Sequence, residues 1–220
     1  MLIIKLIWTM LGFAFFPQNQ PEFKGGQKSL FGFINSSMIY PEYSKQNCLQ
    51  GTVNVRFKLS TDGKIFDSEV QKGFGTDLDV EALRIVRLTS GRWIIPSDYD
   101  TTTSMVLPVN FSLKNYDCER RSKDDLKNAV AAYHSRLDLT KAIYNFYDKK
   151  AAGVTNSQDE AEIIALKLEL GYDEKYIDRL YKQALRKLKQ GDKESGCEDL
   201  NTVKRLGSGL ADKTIAENCR

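Results

Sequence analysis

Few residues in this chain have both the type and the spacing for covalent or metal chemistry. His134 is the only histidine, and it stands in a helical pattern beside Tyr133 with no serine or cysteine pattern nearby to act as a nucleophile. A general base needs such a partner within hydrogen-bond reach, so a packed or solvated helix residue is the better reading. The stretch "DLDVE" (Asp77 to Glu81) sets three carboxylates close together, which suggests metal ligands. The same residues after Thr76 are also what a helix start uses, a capping hydroxyl followed by an acidic first turn, and that explanation needs no ion. Neither "FKGGQKS" nor "QKGFGTD" has the spacing of a phosphate-binding loop; their glycines read as turns. The expectation is a protein that is not an enzyme, with no catalytic residues, no cofactor and no metal.

The cysteines carry more. Cys197 lies ten residues before Gly207 and Cys219 ten after Gly209, on either side of the break "LGSG" between two helical patterns. Antiparallel helices would bring the two thiols level. Cys48 sits just before an alternating strand pattern and Cys118 just after another, so antiparallel neighbours would bring these two together as well. Two disulfides would each add roughly 3 to 4 kcal/mol in the loop-entropy picture and would require an oxidising compartment; four buried free thiols are the alternative. No CxxC spacing suggests zinc or redox chemistry.

Composition and the N-terminus narrow the setting. In 220 residues, 41% are hydrophobic and 28% charged, as in ordinary globular proteins, and the net charge of +3 is spread through mixed-sign segments. Nothing points to a nucleic-acid partner. Residues 1–14 resemble a secretory signal: Lys5, an apolar run that continues to Phe16, and Gly12 and Ala14 at small-x-small spacing. A short N-terminal anchor is the alternative, although a span needs about 20 apolar residues. Residues 15–28, containing "PQNQPEF", read as a linker. The expected location is the periplasm, reached by export, with membrane anchoring if the N-terminus is retained.

Elements that could position a site then follow in two parts. Over residues 29–115 the pattern predicts helix, strand, turn, strand, helix, loop and strand. "SLFGFINSSMIYP" places Leu30, Phe33, Ile34 and Met38 on one face and stops by Pro41. "GTVNVRFKLSTDGKIFDSEV" reads as a hairpin turning at Asp62-Gly63. "TDLDVEALRIVRL" starts at a Thr76 or Asp77 cap and buries Leu78, Ala82, Ile85 and Val86. In "TTTSMVLPVNFSL", Met105, Leu107, Val109, Phe111 and Leu113 face the core, and Ser104, Val106, Pro108, Asn110 and Ser112 face away. Proline cannot donate to a ladder on either side of a central strand, so Pro108 assigns this strand to an edge. An edge is either protected or used to pair with an extended peptide. The predicted fold class is α+β, two helices packed on a three-stranded antiparallel sheet, followed by an all-helical domain.

Five separated motifs, in order, resemble the TonB C-terminal domain family: "YP" at Tyr40-Pro41, "GTVNVRFKLSTDGKI" at Gly51 to Ile65, "LDVEALRIV" at Leu78 to Val86, Trp93 with Pro96, and "LPVNFSL" at Leu107 to Leu113. The resemblance implies a periplasmic binding module whose third strand accepts an extended segment of an outer-membrane TonB-dependent receptor, in support of energy-coupled transport. Thr103, Ser104, Val106 and Asn110 are then the expected partner-binding positions. It also implies that the first and third strands are neighbours, which agrees with a Cys48 to Cys118 bridge. A retained N-terminus would add an inner-membrane proton-driven motor as partner, and an open edge would let two copies pair as a homodimer. The sequence departs from a full transducer in having five prolines and no extended spacer, and the glycine often found after the tryptophan-proline motif is missing from "PSDYDTTTSM".

Residues 119–220 are helical in pattern, with Leu126, Val130, Tyr133, Leu137, Ile143 and Phe146 at roughly helical spacing. "SQDEAEIIALKLELG" and "DEKYIDRLYKQALRKLKQG" open with acidic first turns and close at glycine. The last stretch, 173–220, resembles one tetratricopeptide-type or Sel1-type hairpin, with Gly191-Asp192 in the turn and Gly196, Leu200 and Val203 inside; a plain bundle closed by a disulfide is the alternative. A second functional reading follows, a periplasmic structural adaptor whose helical domain carries the main protein-binding surface. The basic run "KQALRKLKQGDK" reads as a solvated helix face.

Overall fold

The computed structural model describes residues 20–114, 116, 118–154 and 157–219. The signal or anchor expected at residues 1–14, and the linker as far as residue 19, lie outside the described residues. The first part of the chain runs β1 (Glu22–Phe23), α1 (Gly26–Ser37), α2 (Glu42–Gln46), β2 (Gly51–Leu59), β3 (Ile65–Lys72), α3 (Asp77–Arg87), β4 (Trp93–Ile94) and β5 (Ser104–Phe111). Strands β3, β2 and β5 form an antiparallel sheet in that order, and β1 pairs with β4. The predicted α+β layout is therefore the observed one, with β2 and β5 as neighbours.

Alternation decides which side of the sheet is covered. Val53, Val55, Phe57 and Leu59 of β2 have no exposed surface, and Leu107, Val109 and Phe111 of β5 are buried beside them. Leu78, Ala82, Ile85 and Val86 of α3 close this core from above, all at 0% exposure. Burying each larger side chain contributes about 1.5–3 kcal/mol. Thr76 caps α3 by accepting from the Leu78 amide. Gly63 turns the hairpin with φ +77°, and a Cβ there would lie 2.4 Å from the Trp93 carbonyl oxygen; only glycine meets both demands.

Three local features differ from the sequence expectation. The stretch read as linker contains β1 and the first turn of α1, held by Phe23, which is buried in an edge-to-face contact with Trp93. Helix α1 begins at Gly26 and ends at Ser37, and the five-residue α2 follows Pro41. The two-residue β1 and the five-residue α2 lie below the length at which periodicity can be read.

The helical part comprises α4 (Lys123–Ala151), α5 (Ser157–Glu169), α6 (Glu174–Lys189), α7 (Lys193–Arg205) and α8 (Asp212–Asn218). Ser122 and Asp125 form a reciprocal capping box on α4. Helices α6 and α7 pack as a hairpin in which Leu200 and Val203 have no exposed surface, and a Cβ on Gly196 would meet Leu188 at 2.8 Å. Both expected disulfides are present, Cys48–Cys118 and Cys197–Cys219, with Cα atoms 5.5 and 5.6 Å apart. The expected boundary at residue 119 divides the packing imperfectly, because Leu126, Ala129 and Val130 of α4 pack against the sheet core while Ile143 belongs to the helical core.

A buried arginine joins the parts. Arg84 of α3 is 5% exposed and uses all five of its donors. Its Nε and one Nη bond both oxygens of Glu81 at 2.7 Å, and that same Nη reaches the Ser37 carbonyl at 2.8 Å. The other Nη reaches Gln190 Oε1 at 3.0 Å and Asp192 Oδ2 at 3.2 Å in the α6–α7 turn. Burial works against the charge, but the hydrogen bonds and charges of Glu81 and Asp192 outweigh it and raise the guanidinium above its usual value. Glu81 in turn accepts from the Ile39 amide at 2.7 Å.

Candidate partner-binding strand edge

Strand β5 is the feature to which the sequence reading assigned function, and its geometry is regular. It pairs with β2 from Gly51 opposite Phe111 to Lys58 opposite Ser104 without a register shift. No strand pairs with its other side among the described residues. Pro108 has no amide hydrogen, so it is accommodated where the backbone turns away from β2. Ser104, Val106 and Asn110 share its parity, and all are exposed, Val106 at 46%.

Around these positions the open face of the sheet is polar. Arg56 donates to Glu69 at 3.0 Å and, through Nη1, to Ser104 Oγ at 3.1 Å. Thr52 donates to Asn110 Oδ1 at 3.1 Å. The carboxylate of Glu69 holds the Arg56 guanidinium above its usual value, first through the hydrogen bond and then through charge. These contacts fix the side chains of the edge strand and engage none of its outward backbone groups.

Thr103 behaves differently from the other three predicted positions. It precedes β5, its amide donates to the Asp100 carbonyl at 3.0 Å, and its carbonyl accepts from the Tyr99 hydroxyl at 3.3 Å. Its backbone is already employed in a turn, which alternation in "TTTSMV" does not reveal. Asp100 orders that turn: its carboxylate accepts from the Thr102 amide at 2.8 Å and from the Thr102 hydroxyl, which hold it below the usual carboxylate range. Burial, followed by the Asp100 charge, raises the Tyr99 hydroxyl.

A cleft of about 380 Å³ lies between this turn, the segment entering β1, and the first half of β5. Pro21, Asp98, Tyr99, Asp100, Met105 and Val106 contribute to its walls. Thr103, Ser104 and Val106 of this lining are predicted positions, whereas Pro21, Asp98, Tyr99 and Asp100 are not; their only signal in the sequence is the acidic "SDYD" where the family resemblance expects a glycine.

At the far end, β5 is pinned. Gln50 Oε1 accepts from the Leu113 amide at 3.1 Å, and Cys48–Cys118 returns the chain to the start of β2. The opposite sheet edge, β3, is irregular. Its register with β2 shifts twice, skipping Gln71 and Asp67, and Asp67 has φ 52°. Its bulged end carries the Lys58–Asp67 ion pair at 2.8 Å.

The residues first considered for chemistry have structural employments. Asp77 accepts from the Ser44 hydroxyl, Asp79 accepts from the Phe74 and Gly75 amides at 2.9 and 2.7 Å, and Glu81 is held by Arg84. His134 packs beside Gly75 and Tyr133. Among the described residues, no helix is long and apolar enough to cross a membrane.

Comparison with known proteins finds a family match in the first part of the chain. No curated protein matches the chain. A solution structure of the Helicobacter pylori TonB C-terminal domain is similar at 24% identity over 40% of this chain and 95% of that one, with a TM-score of 0.34. Residues 36–113, which contain the sheet, α3 and the open edge, match the family described as Gram-negative bacterial TonB protein C-terminal, a family of non-catalytic modules.

Proposed function

We propose that the protein is a TonB-like periplasmic binding module that pairs β5 with an extended segment of an outer-membrane TonB-dependent receptor, in support of energy-coupled transport. The observation that carries this reading is the edge at Ser104, Val106 and Asn110, which keeps one register with β2 and has no strand on its outer side among the described residues, within the residues that match the TonB C-terminal family. Backbone hydrogen bonds along such an edge supply affinity, and pockets beside it supply choice among partners. The two disulfides suit an oxidising compartment. The helical part, locked to α3 through Arg84, serves as a support or a second contact.

The test is titration of the full chain with a synthetic peptide from the periplasm-facing N-terminal segment of such a receptor, followed by backbone amide resonances. Movement at Ser104, Val106 and Asn110 is the expected result. Movement confined to residues 119–219 would transfer the partner surface to the helices and establish the adaptor reading. Intact-mass measurement on chain recovered from the native envelope tests export and cleavage near residue 14.

A further inference from the structure

An open edge is available to any extended chain, including a second copy of this one, and β5 carries little that would turn a copy away. Ser104–Phe111 includes no charged residue, and charged side chains are among the usual guards of an edge. Pro108 is the exception. An antiparallel strand turns the backbone groups of alternate residues toward the same neighbour. Since β5 keeps its register with β2 through Asn54 opposite Pro108, the groups of Ser104, Val106, Pro108 and Asn110 turn to the other side, where no strand pairs among the described residues. All four carbonyls can accept there, but Pro108 has no amide hydrogen to donate.

That gap weighs differently on two kinds of visitor. A foreign segment lying along β5 leaves one of its own carbonyls without a partner, opposite Pro108. A second copy arriving by two-fold symmetry brings the same proline, because the two sides of such a contact are identical. At full overlap Val106 of each copy faces Pro108 of the other, so the gap occurs twice. Sliding the copies until neither proline is opposed leaves only Ser104 and Val106 in the ladder. Head-to-tail pairing with β3 meets the register shifts and the left-handed Asp67 instead. Each lost backbone bond is a factor of about two to ten in association, so a copy is disfavoured by about the square of the factor that a foreign segment meets.

We infer that Pro108 is a specificity-determining residue of this edge: it leaves β5 open to a foreign extended segment and sets it against a second copy of the chain. This rests on the strand-addition reading of β5 and specifies which extended chain the edge excludes. The homodimer that an open edge allows is the state opposed.

The test restores the donor in the full chain. Position 108 is exposed, so Pro108→Ala supplies the missing amide without disturbing the core, and Pro108→Thr does so with a residue that strands favour. In both variants sedimentation equilibrium should show self-association about five- to hundredfold tighter than in the parent, with concentration-dependent movement of the Ser104, Val106 and Asn110 amides. The receptor-segment peptide of the titration above, added at dilutions where each chain is monomeric, should bind only about two- to tenfold tighter. Equal gains in self-association and peptide binding, no gain in either, or dimers that leave the edge amides unmoved would overturn the role of Pro108, and strand addition would stand as long as the peptide still moves those amides. A peptide that moves no edge amide in the parent or in either variant would overturn strand addition, and the proposed selection with it.

Discussion

Strands β3 and β5 flank the same central strand, yet β3 slips register twice against β2 whereas β5 follows it in one register from end to end. The bulge at Asp67 brings a left-handed backbone and an ion pair to one edge, and such devices discourage another chain from pairing there. The β5 edge has one comparable device, Pro108, which removes a single donor. A straight edge beside a guarded one is the geometry that the proposed strand addition requires.

The largest effect expected is on the anchor of the straight edge. Cys48→Ala/Cys118→Ala should lower stability by about 4 kcal/mol in the chain-entropy model, against about 3 for the shorter Cys197–Cys219 loop. Denaturant unfolding measures both. Amide exchange should rise more in β5 than in β3 on loss of the first bridge; equal rises would mean that the bridge does not define the edge.

Next comes the guarded edge. Asp67→Val puts a branched side chain at φ 52° and should cost about 1–2 kcal/mol, while Val106→Thr on the exposed face should stay within about 0.5 kcal/mol. Neutrality of the first would show that the bulge relaxes freely. On binding, Val106→Pro removes one outward donor and should weaken an edge-pairing peptide about two- to tenfold, whereas Asp67→Val should leave that affinity unchanged in the titration described above.

The smallest effect concerns pH and serves to show that the contrast is local to the sheet. Burial raises the Asp77 carboxyl despite its hydrogen bond from Ser44. The folded chain therefore holds that proton more tightly than the unfolded one. Stability from this group is fully present below the ordinary carboxylate value of about 4 and falls as pH rises through the raised value. Asp77→Asn should flatten that part of a melting-temperature profile without changing exchange at either edge.

Much of the sheet and its edge could be read from the residues themselves. Alternation from Met105 to Phe111 gave the buried face, and the chemistry of Pro108 gave the open side, because both depend on neighbours in the chain. Helix α3 was equally plain from Thr76 and its apolar stripe. Other features depend on partners far away in sequence. Asp67 looks like an ordinary polar strand residue until its partner register is known. Strands β1 and β4, of two residues each, have no period to detect. Arg84 occupies a polar position in "EALRIVRL", and nothing local says that it will be covered by a turn 108 residues further on. The turn at Thr103 is hidden for a similar reason, since alternation does not reveal that its amide donates to Asp100.

The five-donor contact of Arg84 also bears on mechanics. Were a strand held at β5 as proposed, a tug on it would enter the sheet and α3, and from α3 one guanidinium would hand part of the load directly to Gln190 and Asp192. The covalent route through residues 112–122 would then carry only the remainder. Under tension the helices would act as ballast attached to the pulled domain rather than as a weight trailing on a string.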